Sequence, residues 1–332
     1  MFSFSRPGRR RFEWASRAVR EDARRTSKRS GRPGMTETRV HEVKVAAGAE
    51  EVYRLLADLA NWPWIFRSFV HAEVIGQADG FERCGMWTTS DERVEQWVAM
   101  RRTDAAALRI DFRPEEPAPP LTLMERSWVV VPLSPQESLV RLEHRYEVEG
   151  NDAESLIATT GVIDAIADAE TEALRTAAEL EPERRVVVND QVTIGGDTAS
   201  VHAVLHDVTA WPELLPHVVR ADALQDEKGL QLVEIDTREA DGSLLRMRTA
   251  RVALPEHLIA YKQLVLPPIG SSHTVRWRLE PTRGGVAVTS EQTVVLSPAA
   301  VDVAAVTAFV RRELSAKVRL ILDRAKEVVE AS

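Results

Sequence analysis

His41 to Pro63 reads HEVKVAAGAEEVYRLLADLANWP, and Asp190 to Pro212 reads DQVTIGGDTASVHAVLHDVTAWP. At a common shift of 149 residues Val43 falls on Val192, Val52 on Val201, Leu56 on Leu205, Asp58 on Asp207, Trp62 on Trp211 and Pro63 on Pro212. The match continues through Ala72 with Ala221, Gly80 with Gly229 and Trp128 with Trp277. A register kept over that distance marks a tandem duplication, so the chain is one folding unit written twice. Its 332 residues, 44% of them hydrophobic, give each copy enough material for its own core.

Within each copy the hydrophobic period changes in the same order. Val43 and Val45, or Val192 and Ile194, alternate as in a strand. Val52, Leu55, Leu56 and Leu59 follow at helical spacing, and the Trp-Pro corner is expected to stop that helix. Period-two segments come next: Arg93 to Met100, Leu108 to Phe112, Met124 to Val131 and Leu139 to Val148. The second copy repeats them as Leu230 to Asp236, Leu244 to Val252, Leu258 to Leu264, Thr274 to Leu279 and Val286 to Leu296, with a GGV hairpin turn at Gly284. Long helices close the copies at about Ala153 to Glu179 and Ala299 to Glu330, and EPERR, Glu181 to Arg185, links them. The pattern predicts an α+β fold in which each copy is a curved antiparallel sheet around a long C-terminal helix, with a cavity between. The predicted organisation is a basic, disordered extension over 1–35, a first domain over 36–181 and a second over 186–332.

Charge narrows the function. Residues 1–34 carry eleven Lys or Arg against three acids, so with a total of −8 the remainder carries −16. An acidic body argues against a nucleic-acid footprint. No apolar run approaches the roughly 18 residues of a membrane span, and no leader pattern is read at the start, so the expectation is a soluble, cytoplasmic protein. The single cysteine, Cys84, reads as a core thiol. No phosphate loop, dinucleotide fingerprint or metal-spaced His or Cys set is present, and no cofactor or metal is implied.

The Trp-Pro corner, an arginine on the strand that follows it and a tryptophan on a later strand resemble the helix-grip domains of START and Bet v 1 type proteins. The tandem form is similar to the di-domain aromatase/cyclases of bacterial type II polyketide synthases, over everything from Thr36 onward. In single-domain relatives the corner reads Trp-Pro-x-x-Phe and the strand Trp-x-Ser-x-Arg, the arginine being the proposed catalytic group. The first copy matches with Trp62, Phe66, Trp97 and Arg101, with Ala99 in place of the serine. The second matches with Trp211, Thr249 and Arg251, with Leu215 in place of the phenylalanine and Met247 in place of the tryptophan.

Residues two apart on a strand share a face, so parity with the arginines lists the inward side chains. The first copy offers Trp97, Ala99 and Arg101, then Met124, Arg126 and Trp128, then Val140, Leu142, His144 and Tyr146, with Phe66 and Phe69 from the corner. The second offers Met247, Thr249 and Arg251, then His273, Val275 and Trp277, then Val288, Ser290 and Gln292, with Trp211 and Leu215. A one-residue bulge would turn each set outward. A buried guanidinium needs an anionic or strongly hydrogen-bonding partner: a ligand rich in carbonyl oxygens, or a structural acid such as Glu95 or Glu234.

The resemblance implies an enzyme that directs first-ring aldol closure, between carbons 7 and 12, of a carrier-bound, ketoreduced poly-β-ketone and dehydrates the ring to an aromatic one. Arg251 and Arg101 would stabilise the developing oxyanion. The proton shuttle would be His273 or Thr249 in the second copy and His144 in the first. The tryptophans would supply flat walls. The implied partners are an acyl carrier protein, the minimal polyketide synthase and a ketoreductase, with no nucleic acid and no membrane. Arg311, Arg312, Lys317, Arg319, Arg324 and Lys326 would be a docking patch for the acidic carrier, or an ordinary solvated helix face. The rival readings are a lipid or hydrophobic-ligand carrier without chemistry, and a chain in which one copy is a scaffold for the other.

Overall fold

The structure is a computed structural model that describes residues 36–331 apart from Asp91, Asp152 and Ala240. The basic segment 1–35, and what its composition suggests, lies outside the described residues.

The first copy opens with strand β1 (Thr36–Val45), helix α1 (Ala49–Ala57) and a one-turn helix α2 (Trp62–Ile65). Six strands follow: β2 (Phe69–Ala78), β3 (Phe81–Thr89), β4 (Val94–Asp104), β5 (Arg109–Pro114), β6 (Leu121–Ser134) and β7 (Glu137–Val148). Helix α3 (Ala153–Ala178) ends the copy. The second copy repeats this as β8 (Arg185–Ile194), α4 (Thr198–His206), α5 (Trp211–Leu214), β9 (Val218–Glu227), β10 (Leu230–Arg238), β11 (Leu244–Leu254), β12 (Leu258–Gln263), β13 (Gly270–Thr282), β14 (Gly285–Leu296) and α6 (Val303–Glu330). Each sheet has seven strands with the first strand beside the last, β1-β7-β6-β5-β4-β3-β2 and β8-β14-β13-β12-β11-β10-β9. These are the two tandem helix-grip folds that the sequence predicts.

The amphipathic pattern explains the parts. Helix α1 buries Val52, Tyr53 and Leu56 and carries Glu50 and Glu51 in its first turn, where the helix dipole favours acids. Helix α6 buries Val310, Val318, Leu322 and Ala325, and its first turn is capped by the Asp302 carboxylate, which accepts from Ala305 N. In the β2–β3 and β9–β10 hairpins Gly80 and Gly229 have φ of 77° and 78° after Asp79 and Lys228, themselves at 52° and 54°. Two consecutive positive-φ residues are what a tight hairpin turn requires.

The Trp-Pro corner works differently from the expectation. It does not stop a helix: α1 ends at Ala57, and Trp62 and Trp211 begin new one-turn helices with proline in the first turn. A first-turn residue has no intrahelical use for its N–H, so proline fits there. The sequence reading also missed strands β2, β3 and β9, because β2 and β3 each bury four residues in succession and β9 does not alternate cleanly.

Packing divides the chain into two compact units that do not follow the repeat. The first holds the described residues up to Asp58, with Val74–Gly85 and Trp97–Glu179. The second holds Leu180 onward together with Leu59–Glu73 and Met86–Gln96. Within this second unit Val70, Trp87 and Val94 form a buried cluster with Ala250 and Val252. The Gln225 side chain bonds both the N–H and the carbonyl of Val94, at 2.8 and 2.9 Å.

Candidate active site

In the second copy, strand pairing sets the chemistry in a row. Arg251 on β11 faces Gln231 on β10 and Tyr261 on β12; Tyr261 faces Val275 on β13, which faces Gln292 on β14. Directly paired residues share a sheet face, so this row, and Met247 and Thr249 at two-residue steps along β11, point the same way. Arg251 is 1% exposed, and its Nη2 donates to the carbonyl of Leu205 in α4 at 2.9 Å. Its guanidinium lies 5.1 Å from the Trp211 ring and 5.7 Å from that of Tyr261, within cation–π range. Tyr261 meets Trp277 edge-on at 5.4 Å, and Trp277 Nε1 donates to Ser290 Oγ at 3.2 Å.

No carboxylate of the described residues forms an ion pair with this charge, and Asp226 acts on it only from a distance. The Arg251 Nε is buried without a hydrogen-bond partner, as is Thr249 Oγ1. Glu234, the structural acid that the sequence offered, lies 3.5 Å from Arg220 instead. Burial lowers the Arg251 pKa to about 10, against smaller opposing effects of Tyr261 and Asp226, so it stays cationic at neutral pH. Burial pushes the Tyr261 phenol up to about 12. His273 Nε2 sits 3.3 Å from Gln292 Oε1, and Gln292 Nε2 donates to Leu314 O at 3.3 Å. With Gln292 presenting its oxygen, Nε2 carries the imidazole proton and Nδ1 keeps the lone pair. Burial lowers His273 to about 4, so it is neutral at working pH.

Leu215 is 2% exposed, and its N–H closes the corner turn on Trp211 O at 2.8 Å. Met247 packs at the edge of the same core and receives Gln263 Nε2 at 3.8 Å. Leu205, Trp211, Leu215 and Ile321 line a cleft enclosing about 200 Å³ of empty space, its open mouth included. Two of these residues, Leu205 and Trp211, are the ones that touch Arg251.

The first copy has the same row with different charges: Arg101 faces Phe112, Phe112 faces Arg126, and Arg126 faces His144. Arg101 Nη1 donates to Ala57 O at 2.9 Å, one residue beyond the repeat position of the Leu205 carbonyl that Arg251 meets. Its Nε, however, donates to Glu82 Oε2 at 2.8 Å. The acid that meets Arg101 is therefore Glu82, on β3, where the sequence suggested Glu95. Arg126 is paired with Glu170 of α3. His144 is 1% exposed with Nδ1 unbonded, and its pKa falls to about 2 through burial first and then the nearby Arg126 and His41. Trp128 is buried opposite Leu142, Met124 packs beside Tyr146 and Ile163, and Trp97 is half-buried. The corner residues Trp62, Phe66 and Phe69 belong to the second compact unit, where Trp62 meets the other two edge-on at 5.4 and 4.9 Å.

Two residues that parity passed over, Glu82 and Gln231, decide how the arginines differ. The signal was present, since the 149 shift sets one on the other. Cys84 is fully buried, and burial raises its thiol to about 11. The cations of α6 are engaged within the protein: Arg311 donates to Val187 O, Arg312 pairs with Glu313, Lys317 with Glu239, Arg319 with Asp190, Arg324 with Glu327 and Lys326 with Glu330. Among the described residues no group of His, Cys, Asp or Glu could hold a metal ion, and no helix is long and apolar enough to cross a membrane.

Two family models, both described as polyketide cyclase / dehydrase and lipid transport, match residues 45–166 and 185–330. The granaticin polyketide synthase bifunctional cyclase/dehydratase of Streptomyces virginiae is 36% identical over 71% of this chain and 79% of its own length. The chain belongs to the polyketide cyclase/dehydrase family. The actinorhodin polyketide synthase bifunctional cyclase/dehydratase of Streptomyces coelicolor is 30% identical over 79% of this chain and 85% of its own. Among solved structures, the di-domain ARO/CYC BexL from the BE-7585A biosynthetic pathway superposes with a TM-score of 0.84 at 35% identity, covering 89% of this chain and 99% of BexL. The di-domain ARO/CYC StfQ from the steffimycin pathway gives 0.78 at 31%, covering 88% and 98%. As a member of this family the chain is an enzyme of the polyketide cyclase/dehydratase kind, built from two tandem copies of the domain.

Proposed function

We propose that this cyclase/dehydratase folds a carrier-bound, ketoreduced poly-β-ketone, directs the first aldol closure between carbons 7 and 12, and dehydrates the new ring to an aromatic one. Residues 36–181 and 186–332 are the two domains of this reading. An acyl carrier protein, the minimal synthase and a ketoreductase are its partners. The observation that carries it is the state of Arg251: a buried cation with no ion pair among the described residues and an unused Nε, boxed by Trp211 and Tyr261.

A carbonyl that becomes an enolate or alkoxide gains negative charge on oxygen. A fixed guanidinium in a site of low polarity stabilises that charge more than it does the starting ketone. Neutral His273, with Nδ1 holding the lone pair, and Thr249 are the groups suited to moving the proton between carbon and oxygen. In the first copy the Arg101–Glu82 pair already balances its charge, so Arg101 binds and orients the chain and His144 contributes a neutral imidazole. Folding a chain on aromatic walls away from water is what selects one closure among several.

Reconstitution of minimal synthase, ketoreductase and carrier protein with the full chain, followed by NMR of the product, tests the reading. A single product with its first ring closed between carbons 7 and 12 is expected. The spontaneous mixture formed without the protein would move a hydrophobic-ligand carrier ahead.

A further inference from the structure

At the 149 shift Gln231 stands where the first copy has Glu82. Glu82 accepts from Arg101 Nε; Gln231, directly opposite Arg251 across β10 and β11, makes no bond to it. Its Nε2 donates instead to His206 O at 3.3 Å and Asp226 Oδ2 at 3.2 Å. Both partners can only accept, so the amide orientation is fixed and Oε1 faces away from them. Gln231 Oε1 is buried without a hydrogen-bond partner, and so are Arg251 Nε and Thr249 Oγ1. Gln231, Thr249 and Arg251 are 1%, 3% and 1% exposed. Because Thr249 and Arg251 share a strand face and Gln231 pairs with Arg251, the three orphaned groups lie on one face of the sheet. Each costs on the order of 1–3 kcal/mol if nothing meets it, and a cluster of such groups calls for a ligand.

We infer that Gln231, Thr249 and Arg251 form a binding site for a β-hydroxy ketone. Arg251 Nε donates to the ketone oxygen, Gln231 Oε1 accepts from the hydroxyl, and Thr249 Oγ1 bonds either. A chain wholly in its keto form offers only acceptors and would leave Gln231 unmet. The hydroxyl left by ketoreduction and the carbinol of an aldol adduct both supply the missing donor, and each stands β to a ketone, where it can leave as water. The inference deepens the reading above and rests on it, assigning the dehydration half of the reaction to the second interior. Loss of water from the adduct breaks one C–H bond beside the ketone and the C–O bond of the carbinol, and forms a C=C bond between those carbons. The proton and hydroxide leave together as water, with no oxidant involved. A glutamate at 231 would close the site by pairing with Arg251, as Glu82 does with Arg101.

The test uses the full chain with reconstituted synthase, ketoreductase and carrier, reading by mass spectrometry the ratio of aromatic product to cyclised product heavier by one water. Gln231→Met removes the acceptor and adds no charge; Gln231→Glu keeps the shape and compensates Arg251. Each is expected to lower the ratio about tenfold, the size of one lost hydrogen bond in a buried site. Should Gln231→Met fail to fold by circular dichroism, Gln231→Glu carries the test. Ratios equal to wild type in a folded Gln231 variant overturn the inference. Arg251→Ala separates the two claims. If it lowers the ratio while the Gln231 variants do not, only this inference falls. If neither does, the reading of the second interior falls as well.

Discussion

Lys262 Nζ donates to the carbonyl oxygens of Pro63 and Phe66, each at 2.7 Å, and to that of Phe69 at 3.3 Å. The lysine is 5% exposed, and its three acceptors are the carbonyls around the end of helix α2. A buried ammonium is tolerated only when its donors are met, and here the last turn of a short helix meets them. Lys262→Met removes the ammonium from all three carbonyls, leaving Phe66 O with the Phe69 N–H at 3.2 Å. It is expected to lower unfolding stability by about 2–4 kcal/mol, measured by urea denaturation. Arg113, which stands at the 149 shift and lies over the Phe81 ring at 5.3 Å, should cost under about 1 kcal/mol when changed to Met.

The same contacts bear on cutting the chain. A break near Pro182 deprives the second compact unit of Leu59–Glu73 and Met86–Gln96. Residues 183–332 alone would expose Ala250 and Val252, lose the Val94 bonds of Gln225, and leave Lys262 without its carbonyls. The isolated second half is expected to melt at lower temperature and with weaker cooperativity than the full chain. Mixing it with the first half should restore the melt. A second half as stable as the intact chain would contradict this division.

Buried histidines set a pH dependence. His273 and His144 have folded pKa values near 4 and 2 against an ordinary 6.5, so the unfolded chain binds protons first as pH falls. Their stabilising effect is complete above about pH 6.5 and is lost progressively below it, down to about pH 4 for His273 and lower still for His144. His273→Gln should flatten the decline between pH 6.5 and 4, as followed by chemical denaturation at several pH values. If His273 is the base, the acid limb of the activity profile lies nearer pH 4 than 6.5.

The fold was legible because duplication doubles each weak signal: two alternations, two corners and two long helices at one spacing. The strand boundaries shifted by a few residues, as with Arg93 to Met100 against Val94–Asp104, because periodicity marks the centre of a strand and hydrogen bonding marks its ends. Parity grouped Met247, Thr249 and Arg251 with Val275 and Gln292 because no irregularity interrupts the β11–β12 and β12–β13 pairing. What parity could not give was the identity of the counter-ion. Glu82 and Glu95 look alike along the chain, and only the pairing of strands brings one of them to Arg101. Nor could repeat matching foresee that packing assigns the Trp62 corner to the unit of the second copy, since Lys262 reaches it across 199 residues.

The central claim is that the uncompensated arginine does the chemistry and the compensated one does not. The direct measurement is the product profile of Arg251→Ala and Arg101→Ala, both shown to fold, in the reconstituted synthase. Arg251→Ala is expected to lose about a hundredfold or more of the aromatic product, the cost of removing an oxyanion donor, and to release shunt products. Arg101→Ala is expected to keep the product identity with less than about a tenfold loss, the scale of a binding contact. The opposite order, with Arg101 indispensable and Arg251 dispensable, would contradict the account.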